Sequence, residues 1–512
     1  MLRLILGLAA LILPMAPAHS EYLPQPEEIA LPSERALLTE TLSRLIADPD
    51  AEPGKVLTAL DHALGRLGEP TRLRGFIQFA RAGLLQGLDR EVEAREAVEE
   101  SIRLLPGYSG PLLRGAMFYA YSDQSARAAD YLIRASRIDP DLVRQIDDYE
   151  INNILGRLGR DQRRVAQLSE RLLEIGWLGE SLASRSRLAV GAIDARVVQG
   201  DLAGAKRLVP KLLLPGDSMR LLVQNKYQGL WPEIERWAGT KLEKQWPIYF
   251  REAREKWEAT RDPAHATEYV AALNAAGHDD TIIRVMLPLF SGALDREKDY
   301  DLMLVTIWLG EALARKGRWD DIEAMFANAS KAWPMGSDAN ALNISGNRAR
   351  YLLYAGKTAE ALAAIDATIA DSKRWKDEIN ESAIGAMHHY RACMLHKLGR
   401  SQEAATSIAT ANERQRAVAR AQLYLCLEQH DNARETLVQA LGSEQDREEV
   451  LLFMQRTNPR TMQSEYGRVM GARNEALRTD PKLLQEALKY GRILPFTLSE
   501  GAPPELASAK PL

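Results

Sequence analysis

At 512 residues, with 46% apolar and 27% charged side chains, the chain is long enough for several folded units and exceeds one compact core. A formal net charge of −4 gives no basic field for nucleic acid, and the well-mixed charges exclude a disordered polyelectrolyte. Ala, Leu and Arg dominate while Val and Thr runs are scarce, so helices are expected over strands.

The N-terminus has the form of a secretory signal over 1–18. Arg3 supplies a short positive region, and Leu4 to Leu13 is an apolar run too short to span a bilayer. Ala16-Pro17-Ala18 fits a small-x-small cleavage site, so the mature chain is expected to start near His19 and to be exported, in a bacterial periplasm. No later segment is apolar enough to cross a membrane. Residues 19–32 are Pro-rich and read as an extended leader, after which Ser33 caps a first helix.

From there one phrase recurs. Ala82, Leu85, Ala94, Val98, Ser101 and Pro106 are spaced 3, 9, 4, 3 and 5. Ala116, Tyr119, Ala128, Leu132, Ala135 and Pro140 repeat those spacings, as do Gly310, Leu313, Ile322, Phe326, Ala329 and Pro334. The pattern is that of two amphipathic helices joined by a tight turn, with Gly277, Gly317, Gly356 and Gly399 at the turns and Glu428 at the last one. Neither helix can bury its stripe alone, so each pair must stack on its neighbours.

On Leu309, Gly310, Phe326, Ala329 and Pro334 the chain resembles the tetratricopeptide repeat, W-x2-L-G-x2-Y…A-x3-F…A…P. Thr306 replaces the family's Trp, Leu313 its Tyr and Ile322 its first second-helix Ala, and the later turns are spaced more widely than 34. The resemblance implies an all-α, right-handed superhelix that recognises protein or peptide in a concave groove without catalysis or a cofactor. The repeats divide into an N-terminal array over 33–215 and a C-terminal array over 263–441. Between them, 216–262 is a helical insert containing Trp231, Trp237, Trp246 and Trp257. These Trp residues read as core filling, with an aromatic docking surface as the alternative. A helical cap is expected over 442–494 and a disordered tail over 495–512.

The chain has no H-E-x-x-H, no G-x-S-x-G and no Walker loop, so it is not expected to be an enzyme. In the repeat frame the groove is lined by Ile307, Glu311, Arg315, Asn343, Arg350, Tyr354, His389, Cys393, His396, Lys397 and Gln422. Mixed aromatic, Arg and amide character suits a peptide or a partner helix. His389, Cys393 and His396 share a helix face at i, i+4 and i+7, a donor set that zinc or copper accepts, although no fourth ligand is evident. Cys393 and Cys426 read as buried free thiols, with a disulfide permitted in an exported chain. The leading function is thus an envelope protein-binding scaffold. A glycan-binding or export and assembly factor, motivated by the Trp-rich insert, and a metal-binding protein are the alternatives.

Overall fold

The computed structural model describes residues 23–25, 29–47, 52–68, 70–120, 124–158, 161–177, 182–375, 378–457 and 460–504. The signal segment and residues 505–512 lie outside it. Among the described residues the fold is all-α, and the one β-bridge joins Gln224 to Gly491. None of its helices is long and apolar enough to cross a membrane. The chain forms two compact units, Met1–Lys211 and Leu212–Leu512.

The first unit holds α1 (Arg35–Ala47), α2 (Pro53–Arg66), α3 (Arg72–Gly87), α4 (Glu91–Leu104), α5 (Ser109–Ala120), α6 (Ser125–Ile138), α7 (Pro140–Val143), α8 (Asp148–Leu158), α9 (Gln162–Glu174), α10 (Leu182–Val198) and α11 (Leu202–Leu208). The closest packing is within the pairs α3/α4, α5/α6 and α9/α10. Residues of the recurring phrase are what the hairpins bury: Ala116, Tyr119, Ala128, Leu132 and Ala135 are all sealed from solvent in one cluster. Glu99 on α4 ties two hairpins together, accepting from the Tyr119 hydroxyl at 2.7 Å and the Tyr131 hydroxyl at 2.8 Å. Part of the expected leader also packs, since Ile29 and Ala30 are buried and Leu23 rests on the core.

The second unit starts with α12 (Pro215–Leu222), α13 (Trp231–Ala238) and α14 (Trp246–Thr260). Hairpins follow: α15 (Pro263–Ala276) with α16 (Asp279–Met286), α17 (Leu302–Arg315) with α18 (Trp319–Ala332), α19 (Ala341–Tyr354) with α20 (Thr358–Ser372), α21 (Glu381–Lys397) with α22 (Ser401–Arg414), and α23 (Ala417–Cys426) with α24 (His430–Gly442). The last helices are α25 (Glu444–Phe453), α26 (Glu465–Arg478) and α27 (Pro481–Ala487). Each hairpin turn is closed the same way. The amide of the residue after the left-handed position donates to the carbonyl five residues back, as from Arg318 to Leu313, Lys357 to Leu352, Arg400 to Leu395 and Gln429 to Tyr424. Gly317 and Gly356 take that position at φ +70° and +84°, and Glu428 takes it at +63°. These hairpins are tetratricopeptide-like, with Leu309, Leu313, Ile322, Phe326 and Ala329 buried between them.

The Trp-rich stretch belongs to this second unit. Trp246 and Trp257 are buried, and Trp231, Trp237 and Trp246 spend their indole N–H groups on the carbonyls of Leu221, Leu212 and Leu498. Trp246 and Trp257 fill the interior, while Trp231 and Trp237 are half-buried. The segment around residues 495–504, expected to be disordered, docks instead. Phe496 and Thr497 are buried, Leu498–Gly501 forms a 3₁₀ turn with a capping box, and the Pro503 carbonyl meets His278 Nε2 at 3.0 Å. A Pro-rich composition did not decide order here, because Leu494 and Phe496 supply an apolar anchor. Arg492 completes the return, donating to the Leu222 carbonyl at 2.8 Å and lying over the Trp231 ring.

Candidate functional site

The expected groove lies along the first helices of the C-terminal hairpins, α15, α17, α19, α21 and α23. Glu311, Arg315 and Arg350 come together there, Tyr354 and Lys397 meet through Tyr466, and the chain itself packs against the helix ends. Residues 460–478 run past the C-terminal ends of all five helices in order. Arg460 donates to the Asn274 side-chain oxygen at 3.2 Å and pairs with Asp279. The Gln463 amide donates to the Ala314 carbonyl at 2.9 Å, and its carbonyl accepts from the Trp319 indole at 3.3 Å. Tyr466 meets the Tyr354 ring edge-on at 5.2 Å, with the Lys397 ammonium 4.9 Å from the Tyr466 ring. Arg473 donates to the Leu425 carbonyl at 2.9 Å and to Glu428 at 2.6 Å. The carbonyls at helix C-termini are acceptors that the helix cannot satisfy, and their dipoles favour cations, so a segment bearing Arg460 and Arg473 fits this edge. Residues 460–478 of the cap expected over 442–494 therefore run along this edge of the first helices.

Beneath this segment the expected groove residues form an ionic network. Arg315 makes a two-pronged pair with Asp279 at 3.0 and 2.9 Å, and bonds Glu311 at 3.3 Å. The other oxygen of Glu311 accepts from Arg350 at 3.0 Å. Arg350 stacks on Tyr351, whose hydroxyl donates to the Ile307 carbonyl at 2.8 Å. Glu311, Arg315 and Arg350 thus pair with one another, while the Arg350 Nε keeps no acceptor among the described residues. Burial, and next the Arg315 cation, pull the Arg460 guanidinium below its ordinary value, with Asp279 opposing both. Burial raises the Tyr354 and Tyr466 phenols well above theirs. Asn343 and Gln422 are half-buried, and their side chains make no hydrogen bond among the described residues.

The expected His389, Cys393 and His396 set is rearranged. Cys393 and Cys426 form a disulfide with Cα atoms 5.7 Å apart, joining α21 to α23, so the expectation of free thiols is corrected. Both are buried apolar positions on consecutive first helices, and the helices pack in the register a bridge demands. The group within reach of a shared ion is His389, Cys393 and Cys426, all buried and within 4.8 Å, and does not include His396. His396 is half-buried near Glu428. With both sulfurs bonded to each other, His389 is the one remaining donor and no ligand set is available. Its Nδ1 lies 3.2 Å from the Gln415 side-chain oxygen, and burial lowers its pKa to about 4.

No protein-family model and no curated protein sequence matches the chain. Among solved structures it is similar at 13% identity to a chain of Naa15/Naa10 bound to HypK-THB, over 79% of this chain and 68% of that one, with a TM-score of 0.24. It is also similar at 13% identity to yeast Tom70, over 89% of this chain and 99% of that one, with a TM-score of 0.27. At such TM-scores the likenesses carry no argument, and fold and function rest on the hairpins and on the face they present.

Proposed function

We propose that the chain is a non-catalytic scaffold that binds polypeptide segments along the first-helix face of its hairpins. One observation carries this reading: the C-terminal hairpins already hold a polypeptide there, residues 460–478 of the same chain, through helix-end carbonyls, Asp279, Glu428 and the Tyr354 ring. A partner segment would lie beside that internal one, over Ile307, Asn343 and Gln422. The signal-like N-terminus and the Cys393–Cys426 disulfide support an exported, oxidising location, a bacterial periplasm, in which the scaffold would serve the envelope.

Photo-crosslinking tests the proposal. A crosslinkable residue replacing Asn343 or Gln422 is expected to capture one polypeptide in intact cells, whereas one replacing Ala363, exposed on the second helix α20, captures none. Equal labelling at the three positions, or none, removes the reading.

A further inference from the structure

Among the described residues, the network under residues 460–466 pairs more cations than carboxylates. Arg315, Arg350 and Arg460 bring three cations, and Asp279 and Glu311 are the carboxylates they pair with. Arg350 Nε and Arg460 Nε are sealed from solvent with no hydrogen-bond acceptor among the described residues. Beside Arg350 lie further idle donors. The hydroxyls of Tyr354, Tyr390 and Tyr466 make no hydrogen bond among the described residues, yet they are not sealed off as those Nε atoms are. Tyr354 follows Arg350 by one turn of α19, and Tyr466 lies edge-on to Tyr354. Tyr390, on α21, sits close enough to Arg350, Tyr354 and Tyr466 to interact with each electrostatically.

A cation in excess away from water is costly unless an anion meets it, and idle donors around it mark where that anion would bond. We propose that Arg350, Tyr354, Tyr390 and Tyr466 form a binding site for an oxyanion, a carboxylate or phosphate group, with the C-terminal segment as one wall. Several separated donors suit a group with several acceptor oxygens better than a halide. The site deepens the scaffold reading by naming the chemistry of the group that the same face would grip, and on that reading the group is carried by the bound segment.

The test needs no partner. The full chain is titrated with acetate and, separately, with inorganic phosphate, with sodium chloride holding ionic strength constant, and the thermal midpoint and heat of binding are followed. A saturable rise of the midpoint is expected with at least one oxyanion, and the one saturating at the lower concentration identifies the source. Tyr354→Phe with Tyr390→Phe keeps both rings and removes two donors, so the half-saturating concentration should rise about tenfold or more, the value of hydrogen bonds to a charged group. Arg350→Gln should abolish the response, and if that chain fails to fold the phenylalanine pair still decides. No saturable rise with either oxyanion, an equal response to chloride, or unchanged half-saturation in the phenylalanine pair overturns the site. Oxyanion binding that survives a failed crosslink at Asn343 and Gln422 would retire the scaffold and keep the site; the reverse outcome would do the opposite.

Discussion

Arg473 bonds the Glu428 carboxylate at 2.6 Å, and Glu428 stands at φ +63°, the turn position that the other C-terminal hairpins give to glycine. A side chain in the left-handed region is strained, so the last hairpin accepts that strain where the carboxylate anchors α26. The ion pair also holds the Glu428 carboxyl below its usual range. Two substitutions separate the two effects. Glu428→Ala keeps the strained backbone and loses the anchor, and Glu428→Gly loses the anchor but relaxes the turn. The alanine chain should melt lower than the glycine chain by calorimetry. A glycine chain that melts as low as the alanine chain would show that the turn stores no strain.

Gly310 lets adjacent hairpins approach closely. A Cβ built there would sit 2.6 Å from the Tyr351 ring, which is fixed by its hydrogen bond to Ile307 and by packing on Phe326. Gly310→Ala should therefore destabilise the C-terminal unit by about 1–3 kcal/mol through overpacking. Gly346 on α19 is the control, since a Cβ there would meet its nearest neighbour at 4.0 Å. Gly346→Ala should stabilise by about 0.5–1 kcal/mol, the helical preference for alanine. Urea melts of the two variants, read by circular dichroism, should move in opposite directions.

What the sequence makes legible is local. The Leu309 to Ala329 spacing describes contacts inside one hairpin, and the turn glycines follow from backbone sterics, so both can be read along the chain. The site is less legible because its decisive contacts are long-range: Arg460 meets Asp279 across 181 positions, and no periodicity points residues 460–478 back over the array. Arg315 and Arg350 lie on the first helices α17 and α19. Whether such an arginine greets a partner or an internal carboxylate depends on Glu311 and Asp279, which only the packed helices bring near. The cysteine pair was only partly legible: two apolar-face cysteines on consecutive first helices permit a bridge, but the 5.7 Å between their Cα atoms is set by how the helices pack.

The Cys393–Cys426 bridge closes a loop with a sequence separation of 33 and staples α21 to α23. In the chain-entropy account a loop of this length contributes about 3–4 kcal/mol. Dithiothreitol should thus lower the melting transition of the C-terminal unit and leave that of a Cys393→Ala/Cys426→Ala chain in place. A wild-type transition that ignores reductant, with free thiols confirmed by labelling, would show that helix packing alone holds this joint.

The same joint should be acid-sensitive through His389. Its ring is buried between α21 and the Gln415 side chain, and burial lowers its pKa to about 4. In the unfolded chain a histidine titrates near 6.5. Between those values the unfolded state binds the extra proton, so stability falls as pH falls from about 6.5 and levels off near 4. The full loss is about 3 kcal/mol at 1.36 kcal/mol per unit. The neighbouring Tyr390 ring lies 5.1 Å from it between centroids. His389→Gln removes the titration, so its thermal midpoint should fall less steeply than wild type between pH 7 and pH 4.5, whatever its starting level. Parallel slopes for the two chains would show that His389 is not the source of the acid sensitivity.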